Sequence, residues 1–207
     1  MASEPLDNPA GFTAEQALER LKQGNARFVA GESHFPTLQT EVLAALAKGQ
    51  QPYATILGCS DSRVPPELLF DAGLGELFIV RVAGNVLGPT VSGSLQYAST
   101  QLHTPLFVVL GHQGCGAIKA ALANKMHQAQ HPERIALLLE AILPALEGVN
   151  TTLAEPELLA SAVEANVRHT VKALEKSPEG RKHIASGDMK LLGAIYDLDS
   201  GSVRFLE

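Results

Sequence analysis

Three features of the sequence predict an α/β fold built on a central, mostly parallel sheet flanked by helices. Short apolar runs bounded by breakers occur at 53–57, 77–82 and 106–110, and each is apolar almost throughout, as strands buried on both faces are. Stretches of helical character at 66–71 and 91–103 lie between them, which gives the order βαβαβ. No internal repeat, low-complexity tract or dividing linker interrupts the 207 residues. The economical organisation is one domain over 1–207, with a helical arm at 1–50 and an α/β core at 51–207.

The arm carries no strand signal. Thr13-Ala-Glu-Gln16 has the pattern of a capping box, opening a helix through Phe28 with Ala17, Leu18, Leu21, Phe28 and Val29 as its apolar positions. A second helix is expected over 38–47, ended by Gly49. These helices either cover the sheet of their own chain or pack on a neighbouring subunit. Beyond the third strand, helices are expected at 117–124, at 132–146, where Pro144 ends or kinks the run, and at 157–176. The chain then reads as a strand at 191–198, a turn at Asp199-Ser200-Gly201 and a strand at 203–206, forming a hairpin at the sheet edge.

Composition narrows the partners. Sixteen Lys+Arg against 22 Asp+Glu give a net charge of −6 with no basic block, which excludes a nucleic-acid backbone as the expected partner. No run approaches the ~18 apolar residues of a membrane span. Residues 1–19 contain no Lys or Arg, unlike a secretory or transit peptide, so the two cysteines, Cys59 and Cys115, read as reduced thiols of a cytoplasmic protein. A chain of this length buries roughly 70 % of its unfolded surface. Its stability therefore needs no metal, and a metal bound here serves chemistry.

The cysteines carry the functional signal. Cys59 follows the first strand directly, and the third strand runs into Gly111-His112-Gln113-Gly114-Cys115-Gly116. Both thus leave the carboxyl ends of parallel strands, where ligand sites of open α/β sheets gather. Cys59, His112 and Cys115 converge there as soft ligands, a set that selects zinc among common metals. Asp61 and Arg63, two and four residues after Cys59, leave the fourth position with two outcomes. Either the Asp61 carboxylate closes the site, or Arg63 holds that carboxylate in a two-pronged bond and water takes the position. A permanently closed structural site and a thiol redox pair are the competing readings. The remaining six histidines and the glycines at 73, 75, 84, 88 and 93 show no further pattern.

Cys59-Ser-Asp-Ser-Arg63, followed by Gly111-His-Gln-Gly-Cys115-Gly-Ala, resembles the β-class carbonic anhydrase signature, and Gly75 to Asn85 resembles that family's second strand and the loop after it. The resemblance implies reversible hydration of carbon dioxide to bicarbonate by hydroxide on zinc held by Cys59, His112 and Cys115, with Asp61 and Arg63 as an exchangeable pair. It further implies a pocket lined by Phe78, Tyr97 and a Gln50 contributed by a neighbouring subunit, and hence a homodimer or dimer of dimers. Ile56 stands where bicarbonate-inhibited members carry Trp. A hydrolase of carbon disulfide or carbonyl sulfide on the same fold is the alternative.

Overall fold

The structure is a computed structural model describing residues 11–34, 43–44 and 46–206. Thr13 opens α1 (Ala14–Ala30) as expected: its hydroxyl accepts from the Gln16 N–H, and the Gln16 side chain accepts from the Thr13 N–H. Gly31 closes the helix at φ 71°, with its N–H on the carbonyls of Arg27 and Phe28. Of the second expected helix, Leu43, Ala44 and Leu46 are helical, while 38–42 and 45 lie outside the described residues.

The core follows as β1 (Ala54–Gly58), the short α2 (Pro66–Leu69), β2 (Leu77–Arg81), α3 (Pro89–Thr100) and β3 (Leu106–His112). Next come α4 (Gly116–His127), α5 (Glu133–Glu140), α6 (Glu155–Glu175), α7 (Pro178–Ser186), β4 (Lys190–Tyr196) and β5 (Val203–Leu206). The sheet order is β2-β1-β3-β4-β5. All pairings are parallel except β4 with β5. Because the chain moves from β1 to β2 on one side and reaches β3 on the other, the β1/β3 boundary is the switch point, and a crevice opens at its carboxyl end.

Alternation along the strands sorts the core. Ala54, Ile56, Leu106, Val108 and Leu110 pack with Leu21 of α1 and with Leu69 and Phe70 around α2. Leu57, Phe107 and Val109 pack with Leu95 and Ala98 of α3 and Val167 of α6. A third cluster, with Ile118, Leu139, Ile142, Leu146 and Val163, surrounds the two cysteines. Ala17 and Leu21 are fully buried, so α1 covers the sheet of its own chain.

Some boundaries differ from expectation for identifiable reasons. The helix expected at 132–146 splits into α5 and a 3-10 turn at Leu143–Leu146, where Pro144 has no N–H to continue an α-helix. The strand expected to reach 198 stops at Tyr196, because Asp197 Oδ1 gathers the N–H groups of Asp199 and Ser200 into a turn. Helix α7 was not expected, although Ser177 caps it through the Gly180 N–H and Pro178 occupies its first turn. No helix among the described residues is long and apolar enough to cross a membrane.

Candidate metal centre

Cys59 leaves β1, His112 ends β3, and Cys115 is the N-cap residue of α4, directly after Gly114, which turns the chain at φ 68°. The three are 5 %, 0 % and 1 % exposed, and their donor atoms lie within 4.8 Å of one another. Tetrahedral ligands of a zinc-sized ion stand about 3.5–4 Å apart, so side-chain adjustment alone closes the set. The imidazole is already oriented. His112 Nδ1 pairs with the Gln113 carbonyl at 2.8 Å, which makes Nδ1 the protonated nitrogen and leaves the lone pair on Nε2. That nitrogen is buried without a hydrogen-bond partner.

The sulfurs are prepared for the same role. The Cys115 thiol, as hydrogen-bond donor, draws Cys59 below the usual thiol range; burial opposes this, and contacts from His112 and the backbone N–H groups of Gly84 and Asp61 reinforce it. Cys115 is pushed up because it gives its proton to that bond and is buried, although N–H groups of Ile118 and Ala117 at the start of α4 favour its thiolate. A cation bound between the two sulfurs would displace the proton of that bond.

Asp61 stands at the rim. Its Oδ1 accepts from the Arg63 backbone N–H at 3.0 Å and from Nε at 2.9 Å, while Oδ2 accepts from Nη2 at 2.8 Å. This side-chain bond from Arg63 is the main reason the Asp61 carboxyl lies well below the usual carboxylate range, burial acting the other way. Oδ2 is also 3.9 Å from His112 Nε2. The carboxylate thus borders the ligand set while being held by the guanidinium.

Several residues that brace this geometry were not singled out from sequence. Arg81, at the end of β2, donates to the carbonyls of Cys59 at 2.9 Å and Asp61 at 2.6 Å and so pins the loop after β1. The Gly84 N–H points at Cys59 Sγ from 3.4 Å, and Gly84 O accepts from the buried Asn166 Nδ2 at 2.9 Å. Gly84 sits at φ 70° with Ile142 and Ala117 3.0 and 3.2 Å from where a Cβ would be, so only glycine fits. A basic residue closing an edge strand was the one available hint for Arg81. Nothing local marks Asn166.

The expected pocket residues divide. Phe78 and Tyr97 meet with ring centroids 6.1 Å apart, Phe78 being half-buried on β2 and Tyr97 48 % exposed on α3. Phe78 pairs with Thr55, three residues before Gly58, about 10 Å along the strand. Gln50 is exposed before β1, so the length of the strand, about 17 Å, separates it from its own chain's cluster.

A histidine nitrogen kept dry and unbonded beside two cysteines has an obvious complement in a metal ion, and this puts the chain among α/β enzymes with a thiolate-rich metal site. Comparison with known proteins gives the particular family. The carbonic anhydrase family profile matches residues 54–203. Carbonic anhydrase 2 of Mycobacterium tuberculosis is 41 % identical over 201 residues, covering 95 % of this chain and 92 % of that one. The carbonic anhydrase of Mycolicibacterium smegmatis is 38 % identical, covering 97 % and 94 %. Among solved structures, the β-carbonic anhydrase CafA of Aspergillus fumigatus superposes with a TM-score of 0.75 at 27 % identity, covering 93 % of this chain and 90 % of that one. The chain belongs to the β-class carbonic anhydrase family.

Proposed function

We propose that Cys59, His112 and Cys115 hold one zinc ion per chain and that the chain carries out there the reaction of its family, reversible hydration of carbon dioxide to bicarbonate and a proton. The unpartnered, buried His112 Nε2 beside the two sulfurs carries this reading. Thiolate and imidazole ligands favour zinc over magnesium or calcium. Bound there, zinc supplies a Lewis acid that lowers the pKa of water towards neutrality.

The chain's own residues do the rest. With its carboxylate held by Arg63, Asp61 would stay off the metal and would accept a hydrogen bond from a water at the site, orienting it; the 3.9 Å separation from the imidazole supports this role. Arg63 is 57 % exposed, so water and salt compete with the carboxylate for the guanidinium. The fork would therefore open readily and free the Asp61 carboxylate to turn from the guanidinium towards the ligand set. Phe78 and Tyr97 line the apolar side of the carbon dioxide pocket, which Gln50 of a neighbouring subunit completes. The distance of Gln50 from its own cluster supports donation across an interface. So does β2, an edge strand whose Leu77, Phe78, Ile79 and Val80 are all only half-buried. In this reading 1–207 is one domain, and the enzyme is a cytoplasmic homodimer or dimer of dimers.

Elemental analysis and stopped-flow carbon dioxide hydration test the proposal. The expected result is one zinc per chain and hydration activity, both lost in Cys59→Ser. A zinc-loaded protein that hydrolyses carbonyl sulfide or carbon disulfide but never hydrates carbon dioxide would overturn it, as would retention of tightly bound zinc in Cys59→Ser.

A further inference from the structure

We infer that Gln113 is a positioning residue for the metal centre, tying the aim of the His112 ring to the β4–β5 turn. The inference rests on the metal-site reading above. Gln113 follows His112 at the end of β3, and its N–H donates to Tyr196 O at 2.9 Å, one residue beyond the His112–Tyr196 register pair. Both ends of its side-chain amide are engaged as well. Oε1 accepts from the Leu198 N–H at 3.0 Å, and Nε2 donates to Asp199 Oδ2 at 3.0 Å.

The partner turn is itself rigid. Asp197 Oδ1 accepts from the N–H groups of Asp199 and Ser200, and the backbone of Asp197 bonds to Ser202 and Gly201. Three bonds to β4 and this braced turn anchor the residue whose carbonyl pairs with His112 Nδ1 at 2.8 Å. That contact sets both the tautomer and the direction of Nε2. Gln113 also lies between two ligands, so a shift of its peptide moves His112 and Cys115 together.

Only an amide of this length meets the requirement. It needs an acceptor for Leu198 and a donor for Asp199 on one planar group; Glu would set a carboxylate against Asp199, and Asn is one methylene shorter. Gln113 and Asp199 are both exposed. Their bonds therefore add little to global stability, and their consequence is positional.

The test compares wild type, Gln113→Glu, and Gln113→Glu combined with Asp199→Asn, which restores a donor opposite an acceptor with the roles reversed. The measurements are zinc release to a chelator, the absorption spectrum of the cobalt(II)-substituted proteins, and the thermal midpoint of the metal-free proteins. Gln113→Glu is expected to release zinc roughly ten-fold faster, the lower end of losses seen when a partner of a ligating histidine is altered. Its cobalt spectrum should change while the metal-free midpoint does not. The double variant is expected to recover to within about three-fold of wild type, the mark of a coupled pair. Release at the wild-type rate in Gln113→Glu overturns the inference. So does a defect that the double variant fails to recover, or one matched by a fall in the metal-free midpoint. A wild type that binds no zinc overturns the metal reading and this inference with it.

Discussion

Gly111→Ala adds a methyl where α6 lies against β3. The new Cβ would stand 2.5 Å from Val167 Cγ2 and 3.3 Å from Val163 Cγ1, whereas carbons rest about 3.5–4.0 Å apart. Val167 is fully buried, so the helix must retreat by about 1 Å, and such overpacking costs roughly 1–3 kcal/mol. Asn166 moves with it. Its 2.9 Å bond to Gly84 O opens to about 3.9 Å, past hydrogen-bonding range, and the buried carbonyl left without a donor adds roughly 1–3 kcal/mol. The urea midpoint of the chelator-treated protein should therefore fall by about 1 M. Val167→Ala in the Gly111→Ala background makes room for the methyl. The two changes should then couple by at least about 1 kcal/mol, the double variant being more stable than the single-site energies added together. An unchanged midpoint in Gly111→Ala, or strict additivity, would refute this account of how the helix holds the site.

Two further outcomes are expected. Arg63→Ala removes the fork that holds Asp61, so the carboxylate moves onto the metal; elemental analysis should still find zinc while carbon dioxide hydration drops by roughly ten-fold or more, and a full rate would show the pairing to be idle. The Asp71 side chain is almost fully buried and paired with Arg27 at 2.6 Å and with His34. Burial alone would raise its carboxyl, but the bonds from Arg27 and the His34 N–H bring it below the ordinary value. A depressed folded-state pKa contributes stability that is present above the unfolded value, about 3.9, and lost as pH falls through the folded one. The stability difference between wild type and Asp71→Asn should accordingly shrink in urea titrations from pH 5 to pH 3, and a constant difference would contradict the pairing.

What the sequence revealed and what it hid divide along sequence separation. The capping box at Thr13 and Gln16 is a local signal, and α1 starts there. The apolar runs of β1 and β3 are equally local, because strands covered on both faces need no polar alternation. Together with the residues directly after them, they brought Cys59, His112 and Cys115 to one place. Helix α7 was missed because its segment is charged and carries almost no apolar period. Its Ser-Pro opening and Gly187 closure were the readable signs. Arg81 and Asn166 act on carbonyls up to 22 and 82 positions away. Such contacts exist only once the sheet and α6 are assembled; the basic end of β2 hints at the first, and no pattern along the chain announces the second.

The division of the ligands between two strands also sets an order of events. His112 and Cys115 stand three residues apart on one turn, whereas Cys59 joins them only when β1 pairs with β3. Closing that non-local contact is the slow kind of step in folding. A metal ion offered during folding would therefore meet its full ligand set only at the end. Since the completed site exists in the native state alone, an ion captured there would draw the equilibrium towards that state by mass action.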